Sequence, residues 1–221
     1  MPPVVAIVGK SESGKTTLIE KLVRELKSRG YRVATIKHAA QGMSFDAPDK
    51  DSWRHIQAGS EATAVSSPDR MVLIKPVTRD MSLDEIVRFF GEDYDIILAE
   101  GFKQDNAPKI EVHRKEVGPP IGDTKKLIAI VTDENLEIKT RQFSLEDTKG
   151  LADLLEQGFL RAPGERVSLY INSIPISLGS FPKEMVANIV LALASSLKGV
   201  GEVSSLEIFL RREHKPEQEG R

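Results

Sequence analysis

Residues 9–16 read Gly9-Lys10-Ser11-Glu12-Ser13-Gly14-Lys15-Thr16 and stand between the apolar run Val4-Val5-Ala6-Ile7-Val8 and an amphipathic segment from Thr17 to Leu26. An apolar run without alternation marks a strand covered on both faces, as at the centre of a parallel sheet. After the loop, Leu18, Ile19, Leu22, Val23 and Leu26 recur at helical spacing, and Gly30 is placed to end the helix. A second apolar stretch follows at Val33 to Ile36. Strand, glycine-bearing turn, helix and strand in that order open a doubly wound α/β fold, whose ligand sites sit at the carboxyl ends of the strands.

The spacing Gly-x-x-x-x-Gly-Lys-Thr is the phosphate-binding loop (P-loop) pattern, and the flanking strand and helix make it a nucleoside triphosphate site. Glycines 9 and 14 allow the chain to turn straight from strand to helix. Backbone N–H groups then wrap the phosphates, and the free amides at the helix start add partial positive charge. Gly9, Lys10, Ser11, Glu12, Ser13, Gly14, Lys15, Thr16 and Thr17 form the expected cradle. Lys15 would reach the β- and γ-phosphates in a catalytic role, and the Thr16 hydroxyl would bind Mg²⁺. Lys10 stands at the position of the extra lysine in the deviant P-loops of dimeric ATPases, where it crosses to the partner's nucleotide; a solvated loop lysine is the alternative.

The rest of the site is sought at other strand ends. Glu100 directly follows Ile96-Ile97-Leu98-Ala99, the usual place of the acidic residue that binds or orients Mg²⁺ and serves catalysis. Gly101 would let the backbone approach the γ-phosphate. Lys37 and His38 end the second strand and lie beside the loop if the strand order is standard. Lys103 and Lys109 are further candidates for the cleft. Asp46, Asp49 and Asp51 could join the metal shell, with capping of a helix beginning at Ser52 the favoured role for Asp51. Arg54 would face phosphate or solvent. A guanine reader is expected after a late strand, where Val131-Thr132-Asp133 stands; Asp133 could accept from a guanine edge, but the companion Asn-Lys is missing, and GTP and ATP are not separated by these residues.

Further along, Ser52 to Ala58 reads as a short helix, and Ala62 to Val65 with Met71 to Ile74 as a hairpin-like pair. Ser82-Leu83-Asp84-Glu85 is a capping box for a helix carrying Ile86, Val87, Phe89 and Phe90. Strands are expected at Tyr94–Ala99, Ile110–Val112 and Leu127–Val131, and a closing helix at Asp147–Leu155. A Pro-Gly pair at 163–164 suggests a linker after a nucleotide-binding domain of residues 1–160. Residues 165–212 then form a small α+β module: a hairpin turning near Asn172-Ser173, an apolar helix from Phe181 to Leu197, and a third strand at Leu206–Leu210. Residues 213–221 are a charged tail. The fold class is thus α/β, a P-loop three-layer fold with a mostly parallel central sheet, plus that module.

Lys+Arg 31 against Asp+Glu 33 leaves a net charge of −2, so no global field recommends nucleic acid or an anionic membrane as partner. The absence of cysteine excludes disulfides, thiolate metal sites and thiol nucleophiles. Four histidines, of which only His38 is near the expected site, are too scattered for a metal cluster. No leader-like or spanning segment is seen, which points to the cytoplasm.

Taken in order, the P-loop, Thr35-Ile36-Lys37-His38, Asp51-Ser52-Trp53-Arg54 through Ala58-Gly59, Glu100-Gly101-Phe102-Lys103 and Pro108-Lys109-Ile110-Glu111 resemble the molybdopterin-guanine dinucleotide biosynthesis protein B family. The likeness covers about residues 3–157. It implies a dimeric GTP-binding adaptor with weak GTPase activity, using GTP and Mg²⁺ and assisting the guanylyltransferase that converts molybdenum cofactor into its guanine dinucleotide form. The molybdopterin cofactor itself is a further candidate ligand. Carried over by position, Gly9 to Thr17 would bind phosphates, Thr16 and Glu100 would serve Mg²⁺, and Lys37, His38 and Asp51 would line the cleft. Two other readings stay open from the residues: a P-loop small-molecule kinase, and an adaptor switched by nucleotide without relevant catalysis. The module at 165–212 lies outside the family pattern and reads as a dimerisation or docking platform.

Overall fold

The computed structural model describes residues 1–39, 48–122, 124–160, 167, 169–171, 174–176 and 178–210. Two compact units divide the chain, Met1–Ala162 and Pro163–Arg221. In the first, β1 (Val4–Gly9) runs into the P-loop and α1 (Lys15–Ser28) leaves it. The helix buries Leu18, Ile19, Leu22 and Leu26, the stripe its spacing predicts. There follow β2 (Val33–Lys37), α2 (Asp51–Gln57), and the antiparallel pair β3 (Thr63–Ser66) and β4 (Met71–Ile74). Next comes α3 (Leu83–Val87), opened by the Ser82–Glu85 capping box with both reciprocal bonds formed. It stops sooner than its apolar pattern suggests: the chain tightens into one turn at Arg88–Phe90, and Phe89 is exposed rather than in the core. The unit is completed by β5 (Ile96–Glu100), β6 (Lys109–Val112), β7 (Leu127–Thr132), β8 (Arg141–Ser144) and α4 (Thr148–Gly158), whose N-cap Asp147 accepts from the Gly150 amide.

Six strands form one sheet in the order β2-β5-β1-β6-β7-β8, every pair parallel. Its centre is dry on both faces: Val5 to Val8 of β1 and Ile96 to Ala99 of β5 are fully buried. One face packs Val5, Ile7, Leu98, Ile110, Val112 and Val131 against α1 and α4. The other packs Ala34, Ile36, Ile97 and Ala99 against Leu83 and Val87 of α3. The result is the three-layer α/β fold expected, with a sheet that is wholly parallel.

β8 was not foreseen. Arg141-Gln142-Phe143-Ser144 is too polar to read as a strand, but an edge position beside β7 demands only one row of hydrogen bonds and a half-covered face. Asp51 does not cap its helix: α2 begins at Asp51 itself, its N-cap is Lys50, and no side chain caps it. The first turn gains an acidic side chain at its positive end instead.

The second unit contains the antiparallel pair β9 (Leu169–Ile171) and β10 (Ile174–Ile176) and the helix α5 (Ser180–Ser195), which buries Ala187 and Ala194. The third strand expected at Leu206–Leu210 is absent; that segment makes no ladder and its apolar side chains are exposed. Ile208, Phe209 and Leu210 are consecutive, so any register would put apolar groups on both faces of a thin sheet. The expected linker core at 161–165, the hairpin turn at 172–173, Asp46 with most of its loop, His214 and the charged tail lie outside the described residues. Among the described residues, no helix is long and apolar enough to cross a membrane.

Candidate nucleotide site

The loop between β1 and α1 requires glycine at both signature positions for different reasons. A Cβ on Gly9 would stand 2.5 Å from the Ser13 hydroxyl and 2.6 Å from the Val112 carbonyl oxygen, so no larger residue fits. Gly14 is the N-cap of α1 at φ 93°, in left-handed space that L side chains avoid. At the loop's apex Glu12 also has positive φ, 64°, a strained choice for a residue with a Cβ. The first closure along the helix is the Leu18 amide to the Gly14 carbonyl, 3.0 Å, which leaves the amides of the first turn without helical acceptors.

Side chains from three strand ends meet at this loop because of the strand order. β5 lies between β1 and β2, with Glu100 in register with Ile7 on one side and Lys37 on the other. Glu100 accepts from the Thr16 hydroxyl at 3.0 Å through Oε2, and Lys37 Nζ stands 3.9 Å from Oε1. The Lys15 ammonium donates to the Lys10 carbonyl at 2.6 Å. Burial holds the Lys15 pKa below the ordinary lysine value; the Glu100 carboxylate opposes that shift, and the like charges of Lys103 and Lys37 add to it. The desolvated cation thus gains from any anion brought into the loop.

His38 lies one strand further out than expected, beside β5 rather than β1. Its amide donates to the Glu100 carbonyl, its ring packs on Phe102 with centroids 5.0 Å apart, and its Nε2 is 2.8 Å from Asp80 Oδ2, a partner with no sequence signal. Gly101 donates its amide to the Ile7 carbonyl, tying the two strand ends together. Asp133 follows β7 as expected, and its Oδ1 accepts from the Lys115 amide at 2.9 Å. Asp51 is exposed and 4.0 Å from Arg54, so these two neutralise each other on the surface of α2. Lys109 is not in the cleft: fully buried, it donates to the carbonyls of Asp105, Ala107 and Lys125 and pins the chain that follows β5 to the chain that precedes β7.

Three residues escaped the sequence reading. Ile110 and Val112 face α1 and α4, so Lys109, Glu111 and His113 share the opposite face of β6, and all three are buried. Glu111 accepts from the Ile121 amide through one oxygen, and His113 is 2.8 Å from Glu134. Behind the P-loop, Lys10, Ser13, Glu111, His113, Arg114 and Gly118 line a narrow cleft that has no room for even a water molecule as it stands. Both Ser13 Oγ and Glu111 Oε2 are buried there without a hydrogen-bond partner. Arg114 Nε and Nη2 lie 3.6 Å from where a Gly14 Cβ would stand, which puts a guanidinium against the loop. The available signal was a strand buried on both faces that nevertheless carries charge at every second position.

The arrangement suits a polyanion with a hard cation: a glycine-shaped ring of amides, a desolvated lysine, a second cation at Arg114, and a hydroxyl paired with a carboxylate. Among the described residues no cluster of three or more metal-ligating side chains occurs.

Comparison with known proteins gives a consistent result. Residues 4–133 match the family described as molybdopterin guanine dinucleotide synthesis protein B (MobB). A protein of Haemophilus influenzae named molybdopterin-guanine dinucleotide biosynthesis adapter protein is 36% identical over 166 residues, covering 74% of this chain and 93% of the relative. Its namesake from Escherichia coli is 32% identical over 170 residues, covering 74% and 97%. Among solved structures, a crystal structure of molybdopterin-guanine biosynthesis protein B superposes with a TM-score of 0.56 at 28% identity, over 70% of this chain and 98% of the other. Bacillus subtilis MobB superposes with a TM-score of 0.55 at 28% identity, over 71% and 98%.

Proposed function

The chain belongs to the molybdopterin guanine dinucleotide synthesis protein B family, and from that premise we propose that it is an adapter in molybdopterin guanine dinucleotide biosynthesis that binds GTP with Mg²⁺. The observation that carries the nucleotide part is the 3.0 Å bond between the Thr16 hydroxyl and the Glu100 carboxylate at the mouth of the P-loop. It joins the two residues of the fold that serve Mg²⁺ in triphosphate sites, one from the helix start and one from the neighbouring strand end. When bound, Mg²⁺ neutralises phosphate charge. Lys15 exchanges its bond to the Lys10 carbonyl for phosphate oxygens, and the unpartnered Ser13 hydroxyl behind the loop is available to the same cleft.

Hydrolysis by such a site is slow. Its cations close to the loop are lysines and Arg114, and Glu100 is already engaged by Thr16 and Lys37, which leaves it ill placed to hold an attacking water. Intrinsic GTPases without a supplied arginine finger run on the order of 10⁻⁴ to 10⁻² per second. In this reading nucleotide occupancy sets the protein's competence to assist its partner, a guanylyltransferase acting on molybdenum cofactor, in the cytoplasm and as a homodimer.

Titration calorimetry with GTP·Mg²⁺ and with ATP·Mg²⁺ tests it. GTP is expected to bind at least tenfold tighter than ATP, and Lys15→Ala to lose GTP binding by 100-fold or more. Lys15→Ala should not lower the melting temperature, because it removes a desolvated charge. Unchanged affinity in that variant rejects the site; equal ATP and GTP affinity rejects the guanine assignment alone.

A further inference from the structure

The second unit carries a surface that the family match does not reach, since the matched residues end at 133. Along α5, Phe181, Met185, Ile189 and Leu193 follow one another at intervals of four, and all are exposed, at 73%, 52%, 58% and 57%. At about 100° per residue, Met185 and Ile189 lie at the middle of the side opposite the buried Ala187 and Ala194, with Phe181 and Leu193 at its two rims. The row is therefore a single ridge winding across the outer face of the helix. The adjacent row is Glu184, Asn188, Ala192 and Ser196, all exposed; beyond the long Glu184 at its start it is short-chained, which makes a groove beside the ridge.

We infer that α5 is a self-association surface on which the same helix of a second copy packs antiparallel, each ridge lying in the other's groove. A ridge of period four set against its like is the commonest form of helix packing, crossing at about −50°. The ridge is symmetric about its centre, so a two-fold axis between Met185 and Ile189 sets Phe181 near Leu193 of the partner subunit and Met185 near Ile189 of the partner subunit.

Charge selects the antiparallel sense. α5 has no acidic residue in its first turn and no basic residue in its last. Its terminal partial charges are uncompensated within the helix, and the antiparallel arrangement sets each positive end near the other copy's negative end. Four half-exposed large side chains and the small row cover roughly 500 Å² per copy, about 1,000 Å² in total, the lower limit for a specific contact. This inference does not depend on the nucleotide reading, since α5 lies in the other unit.

The cysteine-free sequence makes the test clean, because one substitution introduces the sole thiol. In the full-length chain at tens of micromolar, oxidised with copper phenanthroline, Met185→Cys and Ile189→Cys are each expected to form disulfide-linked dimers. They should do so at least tenfold faster than Ser195→Cys, an exposed position in neither the ridge nor the groove row. A mixture of Phe181→Cys and Leu193→Cys chains should cross-link faster than either alone. Adding Ile189→Asp to Met185→Cys should slow linkage at least tenfold while GTP affinity stays unchanged. Equal rates at Ser195, or faster linkage of Phe181→Cys with itself than with Leu193→Cys, overturns the arrangement. Capture of the chain by phosphatidylcholine vesicles, lost in Ile189→Asp and without ridge-specific cross-linking, assigns the face to a membrane and overturns it as well.

Discussion

The two units hold apolar side chains of the same kinds and use them in opposite ways. In Met1–Ala162 the leucines and isoleucines of β1, β5 and α1, with Val5 and Val8, are buried between the layers of a parallel sheet. In Pro163–Arg221, among the described residues, the buried apolar side chains are Ala187 and Ala194, while Phe181, Met185, Ile189 and Leu193 face outward. A unit of about 60 residues buries a smaller share of its surface than one of about 160. The lesson is that hydrophobic content reports how much surface must be covered, and chain length reports whether the chain can cover it alone.

The sharpest way to break that contrast is a matched pair of truncations. Leu22→Ala, at a fully buried position of α1, should cost about 3 kcal/mol of unfolding free energy in urea. Ile189→Ala, on the exposed ridge, should change the same quantity by less than about 0.5 kcal/mol at concentrations where α5 is unpaired. Comparable losses at the two positions would show that the ridge is covered within its own chain.

A smaller effect is expected within the first unit, where Arg114, half-buried just after β6 and against Gly14, tests whether a cation beside the P-loop serves ligand or fold. Arg114→Ala should weaken GTP·Mg²⁺ binding about tenfold, roughly 1.4 kcal/mol, with no change in melting temperature. Arg114→Lys should recover part of that loss. A variant that melts early and binds GTP normally would make Arg114 a structural residue.

The smallest effect belongs to the cap of α3. Arg79 beside Glu85, with the Ser82 amide and hydroxyl, lowers the Glu85 pKa from 4.5 to about 2. A carboxylate depressed in the folded state contributes stability that is complete above about 4.5 and is lost as the pH falls toward 2. Glu85→Gln should therefore melt slightly below the unsubstituted chain at neutral pH, with the gap closing through that window. Both groups are exposed to solvent, so 1 M salt should shrink the gap. A gap that persists at pH 2 would place the stabilisation in shape rather than charge.

Much of the site was legible because its parts are local. The Gly9 to Thr16 spacing, the apolar run before it and the helical recurrence after it identify loop, strand and helix within one stretch. The family expected from the motif series is the family matched. The capping box at Ser82 and Glu85 was readable for the same reason, since both its bonds close within four residues. What failed to show depended on neighbours distant in sequence. β8 is a strand because β7 offers an edge, and Asp80 reaches His38 from 42 positions further along the chain. Lys109, which looked like a cleft lysine, is consumed by three carbonyls from two separate segments.

By itself the sequence determined the local chemistry: glycine where no Cβ fits, lysine and threonine at the phosphate turn, an acidic residue at a strand end, and no thiol anywhere. Backbone sterics and short-range periodicity act within a few residues, so they are written in order along the chain. The tertiary structure alone decided that β5 lies between β1 and β2, which brings Glu100 to Thr16 and Lys37, and that Arg114 stands against Gly14. It also decided that the ridge of α5 faces outward. Sheet order and burial are settled by how whole layers exclude water together, a cooperative outcome that no single stretch of residues encodes.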